Sequence, residues 1–173
     1  KSLKNSFFCK MDITSESSIK NCLNIISKKY GKIDALVNNA YPRNKNYGRD
    51  AMKVDYNDFV ENIGMNLGGY FNCTKVFSKF FKDQGYGNVI NIGSIYGVIA
   101  PKFEIYKDTS MTTPVEYVAI KSALINLSKY VIKYVCDSKF RINVVSPGGV
   151  LDKQPEIFIK AYKRNSLGKG MLE

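Results

Sequence analysis

The chain contains no histidine, only four cysteines, and only four arginines against 22 lysines. Without histidine there is no Ser-His-Asp or Cys-His relay, so any acid–base work falls to tyrosine, lysine or carboxylates. Cys9, Cys22, Cys73 and Cys136 stand far apart with no Cys-x-x-Cys pair. A zinc site would need all four thiolates at unsuitable spacings, so the expectation is buried, reduced thiols and no metal. No apolar run approaches the length of a membrane span, and the basic opening Lys1-Ser2-Leu3-Lys4-Asn5-Ser6 lacks a following signal-like apolar core. These absences predict a soluble, cytoplasmic protein with no membrane partner. The formal charge of +11 rests on lysines scattered along the chain, without a basic arm and with little arginine to read phosphate or bases bidentately. Sixteen asparagines accompany them, a compositional bias rather than a docking surface, and no nucleic-acid partner is expected.

A chain of 173 residues with 45% hydrophobic and 13% aromatic content is one globular domain with a real core. Short apolar runs alternate with longer helical periods. Phe7 to Ile13 reads as a strand. Thr14-Ser15-Glu16 opens a helix that reaches about Lys29 and stops at Gly31. Ala35-Leu36-Val37 is a short strand running into Asn38-Asn39-Ala40, followed by a polar loop from Pro42 to Gly48. A long helical stretch runs from near Tyr56 to just before Gly85. Asn88 to Ser94 is the next strand, and a loop covers Gly97 to Thr112. Thr113-Pro114-Val115-Glu116 reads as a capping box opening a helix that continues through Val135. Arg141 to Val145 is a further strand, closed by Ser146-Pro147-Gly148-Gly149, and the tail can hold one helix from about Pro155 to Arg164. Strands alternating with helices predict an α/β fold, a doubly wound, Rossmann-like parallel sheet covered on both faces.

Chemistry concentrates at strand ends and on one helix. Tyr117 and Lys121 are four apart, so on a helix they share a face. A free tyrosine titrates near 10, and a neighbouring ammonium stabilises the phenolate and brings proton transfer toward neutral pH. The spacing is weak by itself. Frequencies alone give about 1.5 Tyr–Lys pairs of this kind, and the chain has a second, Tyr41–Lys45, in a loop with Pro42 and no helix to align it. Context adds weight. Ser94, Asn38-Asn39-Ala40 and Pro147-Gly148-Gly149 each close a strand, and ligands in open α/β sheets bind outside the carboxyl ends of strands. Asn66 lies in Gly64-Met65-Asn66-Leu67-Gly68-Gly69, where glycines weaken a helix. Either the glycines let two helices pack closely, or a local kink frees backbone groups and lets Asn66 hold a water.

In chain order these elements resemble the short-chain dehydrogenase/reductase family: Asn38-Asn39-Ala40, Asn66, Ser94, Tyr117-Val118-Ala119-Ile120-Lys121 and Pro147-Gly148, over roughly residues 7 to 150. The resemblance implies an NAD- or NADP-dependent oxidoreductase acting on a small molecule. It makes Tyr117 the general acid/base, with Lys121 holding the nicotinamide ribose, Ser94 orienting the reacting oxygen and Asn66 supporting a water-linked relay. It assigns Asp12 and Ile13 to adenine, Asn39 and Ala40 to the adenosine ribose, and Pro147, Gly148 and Val150 to nicotinamide. It also implies a homo-oligomer, dimer or tetramer, through the helices near Asn66 and Tyr117.

The sequence departs from the family at several points. Tyr41 stands where the family has glycine, and Pro42 holds Tyr41 extended. Tyr117 lies 23 residues beyond Ser94, which leaves a longer loop, including Lys102 to Tyr106, to border the substrate. Asn-Asn-Ala-Tyr-Pro with this loop resembles the branch linked to bacterial surface-glycan and flagellin-sugar biosynthesis, which implies a sugar or amino-sugar substrate. Nothing matches Gly-x-x-x-Gly-x-Gly, so the chain reads as one partial domain over 1–173, without the family's first βαβ segment and last strand. The expectation is that this stretch alone is unstable and does not bind cofactor. NAD and NADP are not separated. Two other readings stand beside the oxidoreductase: a nucleotide-sugar epimerase or dehydratase with tightly held NAD, and a non-catalytic module on the same fold.

Overall fold

The computed structural model describes residues 5–167 and 169–173, so the opening Lys1–Lys4 lies outside the described residues. Helix α1 (Glu16–Tyr30) begins where Ser15 accepts a hydrogen bond from the Ser18 amide and ends where Gly31 turns left-handed at φ 77°. Strand β1 (Ala35–Asn38) follows. Helix α2 (Tyr56–Ile63), capped by Asp55, passes through a π-helical turn (Gly64–Gly68) into α3 (Gly69–Gln84). Strand β2 (Gly87–Ile92), helix α4 (Val115–Val135), strand β3 (Phe140–Val145) and helix α5 (Glu156–Arg164) complete the order. The sheet is parallel in the order β1-β2-β3, with Leu36 beside Val89 and Val89 beside Ile142. It is a Rossmann-like parallel sheet with flanking helices, as the alternation of periods predicts, but the core helices cover one face and the other, expected to be covered too, is open at Val37 and Val145.

The core forms where one sheet face meets α1, α3 and α4. Leu36, Val89 and Phe140 pack against Ile19, Leu23, Tyr70, Phe77, Phe81 and Leu124. Val37 and Val145, on the opposite face, remain 54% and 50% exposed. The carboxyl ends of the strands are tied by a buried polar chain. Asn38 donates to Asn91 Oδ1 at 2.8 Å and to Thr74 Oγ1 at 3.2 Å, and Asn91 donates to Ser128 Oγ at 2.9 Å. Each amide is buried and partnered, so the chain fixes the rim on which the ligand-facing loops start.

Three expectations are corrected. Phe7 to Ile13 is not a strand: no ladder partner lies beside it among the described residues, and strand geometry needs one. It is held instead by Ile13 in the core and by Asp12, whose carboxylate accepts from the Thr14 amide and hydroxyl. The capping box before α4 does not form. Pro114 is the cap residue, the Thr113 hydroxyl donates to Tyr106, and Glu116 turns inward to Asn62. Of the four thiols, Cys22 and Cys73 are buried, but Cys9 is half-buried and Cys136 is exposed, because Cys136 closes α4 in a left-handed conformation at its surface end.

Candidate active site

At the carboxyl rim of the sheet lies a cleft of about 660 Å³. Asn39, Ser94, Tyr117, Lys121, Pro147, Gly148 and Val150 all line it. They come from the ends of β1, β2 and β3 and from one face of α4, so the parallel strand order brings distant sequence positions to one place. Ser94 caps the short turn Ile95–Gly97 by accepting from the Tyr96 amide at 3.1 Å, which leaves its own proton free to donate. That turn rests directly on α4: a Cβ at Gly97 would stand 2.7 Å from the Lys121 carbonyl oxygen. The positions of Ser94 and Lys121 are therefore coupled through backbone contact.

Lys121 is buried and its ammonium donates to the Ile92 carbonyl. It also sits 5.5 Å from the Tyr117 ring, 5.1 Å from Tyr41 and 5.7 Å from Tyr70. Burial pulls its pKa down to about 8. An ammonium has three donors, and one goes to Ile92, so the group can still reach hydroxyls in the cleft. Tyr117 and Tyr41 are ring neighbours at 5.7 Å. Burial pushes the Tyr41 and Tyr96 phenols upward and Tyr47 up to about 12, so these remain neutral hydrogen-bonding groups.

Asn66 is placed behind this cleft and not on its wall. It occupies the π turn, whose wider winding joins α2 to α3, and of the three neighbouring glycines Gly69 is the one packed closely, against Ile13. Its Nδ2 donates to the Pro42 carbonyl at 2.7 Å and to the Asn62 carbonyl at 3.0 Å, while its buried Oδ1 has no protein partner. An unpartnered buried acceptor of this kind fits an internal water. Ala40 is exposed beyond β1, and Asp12 and Ile13 lie at the head of α1, so none of these three lines the cleft.

Sequence reasoning missed several residues that shape the site. Glu116 is fully buried next to Tyr117; its Oε1 accepts from Asn62 Nδ2 at 3.3 Å and its Oε2 has no protein partner. Asn62 also exchanges hydrogen bonds with Asn44, linking α4 through α2 to the Pro42–Gly48 loop. Tyr47 donates to Tyr41 at 3.1 Å, Tyr96 and Tyr106 share a hydrogen bond at 3.1 Å, and Thr113 donates to Tyr106 at 2.6 Å. The predicted bordering loop does reach the cleft, through Tyr106. Glu116 carried a sequence signal that pointed elsewhere, to a cap. Tyr47 and Tyr106 lie in loops, where no periodicity marks a direction.

A family model described as short chain dehydrogenase matches residues 1–154. The chain is 39% identical over 165 residues to the post-translational flagellin modification protein A of Campylobacter coli, covering 95% of this chain and 64% of that protein. Among solved structures it is similar to a short chain dehydrogenase from Leptospira borgpetersenii with bound NAD+, at TM-score 0.81 and 27% identity over 94% of this chain and 61% of that one. It is also similar to ElxO with NADP bound, at TM-score 0.68 and 28% identity over 92% of this chain and 58% of that one. The chain thus spans less than two thirds of the length of each of these relatives.

Proposed function

This chain belongs to the short-chain dehydrogenase family, and on that premise we propose that it carries the proton-transfer site of an NAD(P)-dependent oxidoreductase that interconverts a carbonyl and an alcohol. The observation that carries the reading is the convergence of Ser94, Tyr117 and Lys121 on one cleft at the carboxyl rim of a parallel sheet. Tyr117 gives a proton to the forming alkoxide or takes one from the alcohol. Lys121 offers positive charge to the phenolate that results, and Ser94 donates to the reacting oxygen.

The donor set also fits a nicotinamide cofactor. Asn39, Lys121 and Tyr117 present groups for ribose hydroxyls, and Pro147, Gly148 and Val150 form a wall for the nicotinamide. The adenosine end would extend beyond the cleft, where Asp12 and Ile13 would meet adenine and Asn39 and Ala40 the adenosine ribose. When bound, the cofactor supplies or accepts the hydride. NAD or NADP serves equally in this reading, since relatives of similar likeness hold each. Asn66, with its unpartnered Oδ1, would hold a water behind Lys121, and that water would return protons from solvent to Tyr117.

The substrate class we propose is a sugar or amino-sugar derivative. The hydroxyls of Tyr96, Tyr106 and Thr113 along one wall support it, as does the likeness to a flagellin modification protein. A homo-oligomer, dimer or tetramer, in the cytoplasm completes the reading. No helix among the described residues is long and apolar enough to cross a membrane. The test is turnover with NADH or NADPH by the protein expressed from its complete reading frame. Tyr117→Phe is expected to abolish turnover and leave cofactor binding intact; retained turnover would remove Tyr117 from the mechanism.

A further inference from the structure

The lining of the cleft has one sign of charge. Among the described residues that form it, Arg43 and Lys121 are the cations, and there is no aspartate or glutamate. Lys121 is engaged with the Ile92 carbonyl and stands against Tyr117 at the reacting end. Arg43 stands elsewhere, exposed at the cleft on the loop after β1. Its guanidinium carbon lies 5.7 Å from the Tyr47 ring centre, and Tyr47 packs on Tyr41, which packs on Tyr117. Two ring layers thus separate Arg43 from Tyr117 along this wall.

Nearby carboxylates do not occupy Arg43. Asp58 accepts from Asn44 and Asn46 and pairs with Arg49 at 3.5 Å, and Glu61 accepts from Asn44. Arg43 forms no ion pair with any described residue. The residue type also runs against composition, since the chain holds 22 lysines and four arginines. A guanidinium differs from an ammonium in presenting a planar fork that matches a carboxylate or phosphate and in resting its face on an aromatic ring. The Tyr47 contact at 5.7 Å leaves that charge unneutralised.

We propose that the substrate of this cleft carries an anionic group, a carboxylate or a phosphate, and that Arg43 binds it. The inference rests on the oxidoreductase reading and deepens it. The reacting carbon meets Ser94 and Tyr117, neutral hydroxyls of the substrate meet Tyr106 and Thr113, and the anion lies at the Arg43 end. A carboxylate on the lining would repel such a ligand, and none is there; Glu116 lies buried behind the lining, where its Oε1 accepts from Asn62.

The test is calorimetric titration of the protein from its complete reading frame, saturated with NADH or NADPH, with glucose, glucuronate and glucose 6-phosphate. In the unaltered protein at least one anionic sugar is expected to bind about two- to fivefold more tightly than glucose, the order given by one ion pair at an exposed arginine. Arg43→Gln is expected to erase that preference while keeping affinity for NADH or NADPH, and Arg43→Lys to keep part of it. Which anionic sugar binds separates carboxylate from phosphate. No preference for either anion, no binding of any of the three, or a preference that survives Arg43→Gln overturns the proposal. So does an equal loss of cofactor affinity in Arg43→Gln, which assigns the arginine to the cofactor. Failure of the unaltered protein to bind NADH or NADPH defeats the oxidoreductase reading instead.

Discussion

Lys121 holds a titratable amine in a buried setting. Burial holds it at about 8, against an ordinary value of 10.5. Between those two values the unfolded chain keeps the proton and the folded one releases it, so stability rises with pH across that window. Below it both states are protonated and the cost of the buried charge is fully present. Lys121→Met is expected to remove this rise, as read from urea unfolding of the cofactor-free protein at about pH 7 and about pH 10. An identical slope in both proteins would assign the titration elsewhere. Glu116 poses the complementary case. Glu116→Gln keeps an acceptor for Asn62 and fills the other position with an uncharged group, so it is expected to hold the fold. Glu116→Ala leaves the Asn62 amide short of its partner and opens a cavity beside Tyr117, at an expected cost of about 3 kcal/mol in denaturant unfolding. A near-zero cost would show that the buried carboxyl contributes nothing to this packing.

At the level of elements, the site depends on two irregular turns pressed against regular ones. The π turn Gly64–Gly68 lets α2 and α3 run as one rod while turning Asn66 toward the Pro42 carbonyl, so that a helix and a loop share a hydrogen bond. The turn Ile95–Gly97 packs on the α4 backbone at Lys121, where only glycine fits. Gly97→Ala must push the two apart, and it is expected to cost about 1–3 kcal/mol and to weaken NADH or NADPH binding together with turnover. Denaturant unfolding alongside cofactor titration checks both. Lost stability with unchanged cofactor affinity would show that the displacement is absorbed away from Lys121.

On the scale of the molecule, the outer sides of α3 and α4 leave an apolar groove. Phe71, Tyr130 and Tyr134 stand 44%, 65% and 78% exposed, and the two tyrosine rings stack at 6.1 Å. Lys75, Lys79 and Asp83 rim the groove, as expected of an interface with a polar border. If the oligomer forms through this face, the double variant Tyr130→Glu, Tyr134→Glu is expected to shift sedimentation of the complete protein toward the monomer. An unchanged sedimenting mass would exclude this face.

Much of this molecule is written in local sequence. Ser15 and Gly31 bound α1 because capping and left-handed turns are short-range chemistry. Leu36, Val89 and Ile142 mark strands because short runs rich in β-branched and apolar residues suit a pleated sheet with one face in the core. Tyr117 and Lys121 share a face because four residues make about one helical turn. Other features needed the folded chain. Phe7 to Ile13 has strand composition, yet pairing depends on a neighbour that no local pattern can specify. Glu116 has the spacing of a cap, and the buried amide of Asn62, 54 positions away along the chain, takes it instead. Arg43, Tyr47 and Tyr106 come from loops whose direction follows from packing rather than from period. Whether a polar side chain faces solvent or a cleft depends on which distant segments close around it, and that is a property of the three-dimensional arrangement alone.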